Sequence, residues 1–374
     1  MNRRNVLIGG GSLVAIGVGA TLVEARDMGS ASAYAEAQQA MRAMLAVRPD
    51  AADLVRYATL APNSHNTQAW RFAIAPGRIT ILPDFARRTP VVDPDDHHLF
   101  VSLGCAAENL SLAAAARGIA GDLAFDDRGA GSIAFAHRPA TARSSPLVDA
   151  IPRRQSTRAI YDGRTVSVAD LKTLAGAAAI PGVDLMLITD RPRMNRIRDL
   201  VIAGNSAQLA DPAFMAELKS WLRFSPRYAL AMGDGLYSGA SGSPKLPQWL
   251  GQRAFDTFFT AKAENDKYAR QLDSSAGVAI FAGAVADRRH WAQVGRACQR
   301  FALQATALGL KHAFINQPVE VASFRPELAS IAGLPGRRPD IVMRFGYGPV
   351  LPYSPRRPVS AVMTAAGGSG VGQT

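Results

Sequence analysis

Two short stretches of this chain hold the side chains best suited to chemistry. The first is LAPNSHNTQAWRF (60–72), where Asn63, Ser64, His65, Asn66, Thr67 and Gln68 stand in a row between an apolar helix and an apolar strand. Short amides and hydroxyls donate and accept hydrogen bonds while staying neutral, which suits the alternating polar edges of a buried planar heterocycle. A helix-ending turn that satisfies its own backbone accounts for Pro62, Asn63 and Ser64. It does not account for six polar residues ahead of a strand. The second stretch is IPRRQSTRAIYDGR (151–164), with Arg153, Arg154, Arg158 and Arg164 around Ser156 and Thr157. Guanidinium forks keep their charge and offer paired donors, so with hydroxyls between them they suit a phosphate dianion. The alternative is a solvated basic loop with surface ion pairs.

The rest of the composition narrows the field. The chain has 374 residues, 48% hydrophobic and 19% charged, enough for a real core in one large domain or two ordinary ones. Its net charge is +12, but the basic residues are scattered, mostly as Arg, without Lys-rich runs or interleaved aromatics, which argues against nucleic acid. Cys105 and Cys298 both lie in Ala-rich helical segments and read as buried free thiols. There is no CxxC and no Cys/His ligand cluster, so no structural metal is expected. No convincing catalytic triad is visible either.

The elements that must position the two stretches follow from hydrophobic period. A polar helix is expected over about 34–58. AWRFAIA and RITILPD alternate as a hairpin joined at Pro76-Gly77. HHLFVSLGCAAENLSLAAAARG reads as a long helix, followed by strands in DLAFD and SIAFAHR. The second half begins near 151 and continues with the helix SVADLKTLAGAAA, the strand VDLMLIT and two helical segments to Trp221. A Gly/Pro/Ser-rich loop (223–248) and the strand AGVAIFAG come next. SLGCAAENLSLAAAARGI (102–119) and QVGRACQRFALQATALGL (293–310) match at an offset of 191, pairing Gly104 with Gly295 and Gly118 with Gly309. Small residues on one face let another backbone approach, so these two helices are expected to pack together. The pattern fits a duplication, although Ala-rich helices also resemble one another by chance.

The chain opens with an address. Arg3 and Arg4 precede an uncharged run from Val6 to Val23 and a small-residue ending at Ala31-Ser32-Ala33. The twin arginine followed by Asn5, Val6 and Leu7 resembles a bacterial Tat signal, with a membrane anchor as the alternative. Residues 1–33 are therefore read as a signal or anchor, cleaved or not, that sends the protein to the periplasm or cell envelope through the Tat machinery. Their removal takes away one net positive charge, so +12 becomes +11. Tat carries folded proteins, which suits a chain that loads a cofactor in the cytoplasm.

On these motifs the chain resembles the FMN-dependent nitroreductase family, in its fused, Acg-like branch. The family's Ala-Pro-Ser-Ser-x-Asn-x-Gln-Pro-Trp pattern corresponds to Ala61–Trp70, its Arg-Arg-Ser-x-Arg phosphate clamp to Arg153–Arg158, and its closing Gly-Tyr strand and basic tail to RFGYGPVLPYSPRRPV. The resemblance runs from about 45 to 363. It implies an α+β (α/β/α nitroreductase-like) fold. It also implies FMN as cofactor, with NAD(P)H as a possible donor and a small-molecule substrate. The residues it assigns to the cofactor are Asn63, Ser64, His65, Asn66, Gln68, Arg153, Arg154, Ser156, Arg158, Asn316, Arg356 and Arg357. None is catalytic, because the isoalloxazine carries the chemistry. Gln155 is inserted, Ala69 replaces Pro, and the two motifs stand in the reverse of the family's order. Ordinary family members are homodimers in which the clamp of one subunit meets the turn of the other. Here the first half has only the turn, and LAGAAAIPGVDLMLI stands in the second half where another turn would be. The expectation is a monomeric single-chain pseudo-dimer of halves 34–150 and 151–363, with one flavin site and a flexible tail from 364. Residues 224–251, with Tyr237 and Trp249 as anchors, are expected to form a lid, or else a floppy surface loop. The function implied is a flavin oxidoreductase. The alternatives are a flavin-sequestering protein with little turnover and a basic surface-binding protein on a degenerate scaffold.

Overall fold

The computed structural model describes residues 27–365. Helices α1 (Ala31–Met41) and α2 (Ala51–Thr59) open it. The single polar helix expected over 34–58 is thus two. Asp50 ends the break by accepting from Asp53 N, and Arg56 bridges back to the Met41 and Ala43 carbonyls. The strands β1 (Trp70–Ala75) and β2 (Arg78–Pro83) form the expected hairpin, followed by α3 (His97–Ala115), β3 (Ile119–Asp126), β4 (Ser132–Pro139) and α4 (Pro146–Ala150).

The second half continues with α5 (Val168–Ala177), β5 (Val183–Ile188), α6 (Arg191–Leu209) and α7 (Pro212–Ser220). The stretch expected as a loop over 223–248 contains regular structure: β6 (Leu222–Arg223) pairs with β7 (Leu236–Tyr237), and α8 (Pro226–Met232) lies between them. Ser225 caps α8 with its hydroxyl and Gly233 ends it in the left-handed region, so the Ser and Gly residues there are helix punctuation. Next come α9 (Gln248–Phe258), α10 (Ala261–Asp273), β8 (Gly277–Gly283), α11 (Arg288–Ala307) and β9 (Lys311–Phe314). The last elements are α12 (Gln317–Glu320), α13 (Arg325–Ile331), β10 (Ile341–Gly346) and β11 (Met363–Ala365).

Two sheets result. One has the order β11-β1-β2-β4-β3 and the other β5-β8-β10-β9. The first sheet is antiparallel except at its edge, where β11 returns from the chain's end to lie parallel to β1, Phe72 opposite Met363. The tail expected to be flexible from 364 therefore begins as a strand, and 366–374 lie outside the described residues. The second sheet is antiparallel throughout. Helix α3 packs on the first sheet, α11 on the second, and the two helices pack on each other as expected.

That last contact is reciprocal. A Cβ built on Gly104 would sit 2.0 Å from the Ala292 carbonyl oxygen, and one on Gly295 would sit 2.0 Å from that of Val101. The polar contacts nearby repeat the relation: Arg300 donates to Glu108, and Gln299 donates to Asn109. Each pair maps onto its twin under the 191-residue offset. Both cysteines lie in this interface as buried free thiols. Residues 1–26 of the signal or anchor lie outside the described residues, and Ala31 to Ala33 form the first turn of α1. Among the described residues no helix is long and apolar enough to cross a membrane.

Candidate functional site

The polar row folds into a strained turn. His65, Asn66 and Gln68 have φ of 44°, 54° and 55°, a region that side chains other than Gly seldom adopt. What holds it is a set of hydrogen bonds to two distant segments. Asn66 Nδ2 donates to the Gly235 and Pro355 carbonyls, both at 3.0 Å, and Asn66 Oδ1 accepts from Arg356 Nη1 at 2.7 Å. Gln68 Nε2 donates to the Gly233 carbonyl at 2.9 Å, while its Oε1 accepts from Arg357 N at 2.9 Å. Gln68 is fully buried and lines neither of the cavities described below; it buckles the turn to residues 233 and 357. Asn63, Ser64 and His65 face the cavity described below. His65 Nδ1 is buried without a partner, and burial followed by the nearby Arg158 charge pushes its pKa down to about 4, so the ring is neutral.

The arginines gather beside this turn. The segment after Arg153 runs along β9, Thr157 N donating to the His312 carbonyl at 2.8 Å. This places Arg154, Ser156 and Arg158 on a small pocket of about 60 Å³, which Asn66, Arg42, Tyr353 and Arg356 also line. Arg154 and Arg356 are buried, and their guanidiniums donate to the carbonyls of Thr59, Leu60 and Ala61 at the end of α2. Arg42 lies 3.7 Å over the Tyr353 ring and donates to the Pro152 carbonyl. Among the described residues none of Arg42, Arg154, Arg158 and Arg356 pairs with a carboxylate. Burial, and then repulsion by Arg154, lowers the Arg42 pKa to about 9. Burial lowers that of Arg154 to about 10, and burial with Arg42 and Arg154 lowers that of Arg356 well below its usual value. Three desolvated cations that repel one another are suited to holding an anion.

Two expected arginines are not there. Arg153 is exposed and turned back onto the Asp149 carbonyl, because the helical turn at 151–153 points it away from β9. Arg357 is committed to Gln68 and to the Ala361 carbonyl. Arg42, behind α1, takes part instead. Its position in the sequence gives no sign of this, since only tertiary packing brings it to Pro152 and Tyr353.

The small pocket borders a cavity of about 670 Å³, the two sharing Pro62, Asn63, Arg158, Leu236 and Phe314 as walls. One side is apolar and comes from 212–259: Phe214, Leu218, Phe224, Leu246, Phe255 and Phe258. This segment is pinned at Asp234, a buried carboxylate between Arg87 and Arg223. Tyr237 anchors it too, its ring 4.6 Å from that of Tyr34. Trp249, expected as a second anchor, is 47% exposed because it lies on the outer face of α9.

No protein-family model matches the chain. It is 28% identical over 333 residues to proteins of two Mycobacterium tuberculosis strains, H37Rv and CDC 1551, each named "Putative NAD(P)H nitroreductase"; the match covers 84% of this chain and 92% of theirs. The chain is thus similar, over most of its length, to proteins named as nitroreductases. Similar solved structures include an FMN-bound nitroreductase of Desulfitobacterium hafniense (14% identity, TM-score 0.34, covering 57% of this chain and 94% of that one). Another is the nitroreductase NfnB of Mycobacterium smegmatis in complex with NADPH (11% identity, TM-score 0.36, covering 54% and 87%).

The floor of the cavity is polar, and the motifs did not point to it. It presents His98, Ser102, Gln208, Asn316, Gln317 and Glu320. Asn316 is there as expected, but its side chain is spent within the protein. Its Oδ1 accepts from Val342 N at 2.9 Å and its Nδ2 faces His98 Nε2 at 3.4 Å. Gln317 Oε1, buried without a partner, is the freer group. Behind the floor, Asp93, His97 and His98 bring ligand-type atoms within 4.8 Å of one another, and His97 Nε2 lies 2.9 Å from Asp340.

Proposed function

We propose that the chain binds one FMN and uses it to pass electrons from NAD(P)H or another donor to a small organic acceptor. The observation that carries this reading is the carboxylate-free cluster of Arg42, Arg154 and Arg356 on a small pocket that borders a large, partly apolar cavity. A phosphate dianion would satisfy the guanidiniums, and the cavity has room for a ring system beyond it. Bound there, the flavin would supply the hydride and electron chemistry. Arg154, Ser156, Arg158 and Arg356 would hold its phosphate, and Asn63, Ser64 and neutral His65 would meet the ring's polar edge. The relatives named as NAD(P)H nitroreductases support the same reading.

We further propose that 34–150 and 151–363 are the two halves of a pseudo-dimer, with 224–251 as a lid. The contact of α3 with α11 supports this, because residue i touching j while j's twin touches i's twin is the signature of a two-fold interface. Only one half retains the polar turn, so purified protein is expected to be yellow with one FMN per chain, read from flavin and protein absorbance. Two per chain would refute the loss of the second site. The start of the chain is proposed to be a Tat address to the periplasm or cell envelope.

A second reading, flavin sequestration, is favoured by how firmly Asp234 and the Tyr237–Tyr34 contact hold the segment over the cavity. Anaerobic mixing of the holo-protein with NADH or NADPH separates the two. Rapid flavin bleaching supports the enzyme, and its absence supports sequestration.

A further inference from the structure

At the floor of the cavity and just behind it, two carboxyl groups lie within 3.9 Å of one imidazole nitrogen. Glu320, at the end of α12, lines the cavity with its side chain 19% exposed and accepts from Gln208 Nε2 at 2.6 Å. Asp93, beneath it, accepts from the backbone N–H groups of His98 and Leu99, both at 3.0 Å. His98 Nδ1 lies 3.9 Å from a carboxylate oxygen of each.

The ring's tautomer follows from its other neighbour. Val342 N donates to Asn316 Oδ1, which fixes that amide and turns its Nδ2–H toward His98 Nε2. Nε2 is therefore the acceptor, and the hydrogen of the neutral ring is on Nδ1, between the two carboxyl groups. A metal ion shared by Asp93 and His98 at that nitrogen would need it free of hydrogen, so the three side chains form a triad held by proximity, with the N–H 3.9 Å from each carboxyl group and longer than a hydrogen bond.

One N–H cannot stabilise two buried carboxylates at once, and like charges that share a site keep one proton between them. Burial raises the pKa of Glu320 to about 7, with the Asp93 charge adding to it, and burial raises that of Asp93 to about 6. The His98 ring is held neutral by burial and by His97 and Arg338. The other charged or titratable groups facing the triad are Asp95, Tyr268 and Arg325.

We propose that Glu320 holds this proton at the cavity wall and delivers it to the acceptor during reduction. This rests on the flavin reading given above. Bound FMN, once reduced, would supply a hydride, two electrons with one hydrogen; the Glu320 O–H bond would break to give the proton. For a nitro group, R–NO2 plus hydride plus proton gives R–N=O plus water, and Glu320 is left as a carboxylate. It regains its proton from solvent through the cavity. Asp93 and His98 are positioning residues that keep the carboxyl protonated and aimed.

Infrared pH titration of the flavin-free protein tests the proton directly. Wild type is expected to show a protonated-carboxyl band that disappears near pH 7, and Glu320→Gln should lack it. Asp93→Asn removes the charge and keeps an acceptor for one of the two backbone N–H groups, so the band should disappear at lower pH. A band unchanged in Glu320→Gln, or a midpoint unmoved in Asp93→Asn, overturns the proposal. Stopped-flow of the FMN-loaded protein then separates the half-reactions. Glu320→Gln should leave bleaching by NADPH intact and slow flavin reoxidation by a nitroaromatic acceptor by roughly 100-fold. Wild-type reoxidation should slow above pH 7, and Glu320→Asp should recover part of the rate. Equal reoxidation in wild type and Glu320→Gln overturns the role in catalysis. Failure to bind FMN at all would instead refute the flavin reading, while the infrared result would stand.

Discussion

Truncating Arg154 to Ala is the sharpest test of the phosphate reading, because two opposite effects can be separated. In the ligand-free protein Arg154 is buried, touches no carboxylate, and adds to the repulsion on Arg42 and Arg356. Its loss therefore leaves no stranded counter-charge, which is what makes breaking a buried ion pair cost 3–5 kcal/mol in other settings. The bond to the Leu60 carbonyl and the packing are lost, and relief of repulsion offsets part of that. With FMN bound the balance changes. Charge-assisted hydrogen bonds contribute about 1.5–3 kcal/mol each, so the variant should bind FMN roughly tenfold to a hundredfold more weakly. Riboflavin has the ring but no phosphate, and its affinity should be nearly unchanged. Flavin fluorescence titration measures both ligands. Calorimetry gives an independent check: FMN at a hundred times the wild-type Kd stabilises wild type by about 2.7 kcal/mol, and a variant bound a hundredfold more weakly by only about 0.4 kcal/mol. Equal loss of FMN and riboflavin would show that Arg154 supports the fold and not a phosphate. Arg158→Ala should also weaken FMN, but it borders both the pocket and the cavity and so discriminates less well.

Two further outcomes follow from the helix pair and the start of the chain. Gly104→Ala puts a methyl group 2.0 Å from the Ala292 oxygen and should destabilise by about 1–3 kcal/mol or more in urea unfolding. Gly176→Ala, on an exposed face of α5 with nothing within 4 Å, should instead be neutral or stabilising by up to about 1 kcal/mol. Replacing Arg3 and Arg4 by Lys should leave folded, flavin-loaded protein in the cytoplasm; cell fractionation showing unchanged export would remove the Tat reading.

Much of the fold was legible because it depends on local pattern. Alternation locates β1 and β2, and short apolar runs locate β3 to β5 and β8, to within a few residues; the matched glycines of α3 and α11 point to a close helix contact. The failures at the candidate site share one physical cause. Arg153 and Arg357 have the right residue type near the right motif, but whether a guanidinium faces a pocket depends on a single turn of backbone, which composition does not specify. Arg42, His98 and Glu320 reach the site only because distant segments fold together. Of these, only the His97-His98 pair after an Asp-rich turn offered any hint in the sequence. The 223–248 stretch was misread because the Ser and Gly residues that cap short helices are the same residues that populate loops.

The polar row itself is better understood as a joint than as a list of ligands. Asn66 and Gln68 are in left-handed conformations that cost of order 1–3 kcal/mol each. Their side chains hydrogen-bond both to the 233–235 segment and to residues 355–357. Those bonds over-determine the backbone, and the strained backbone in turn aims Asn63, Ser64 and His65 into the cavity. The same amides grip Arg356 and the 233–235 segment. The small pocket, the cavity wall at residues 63–65 and the 233–235 segment therefore meet at one turn. Neutral side chains are required for this role, because a charge at Asn66 or Gln68 would be buried beside Arg356 or the Gly233 carbonyl and would change the field that the cation cluster presents.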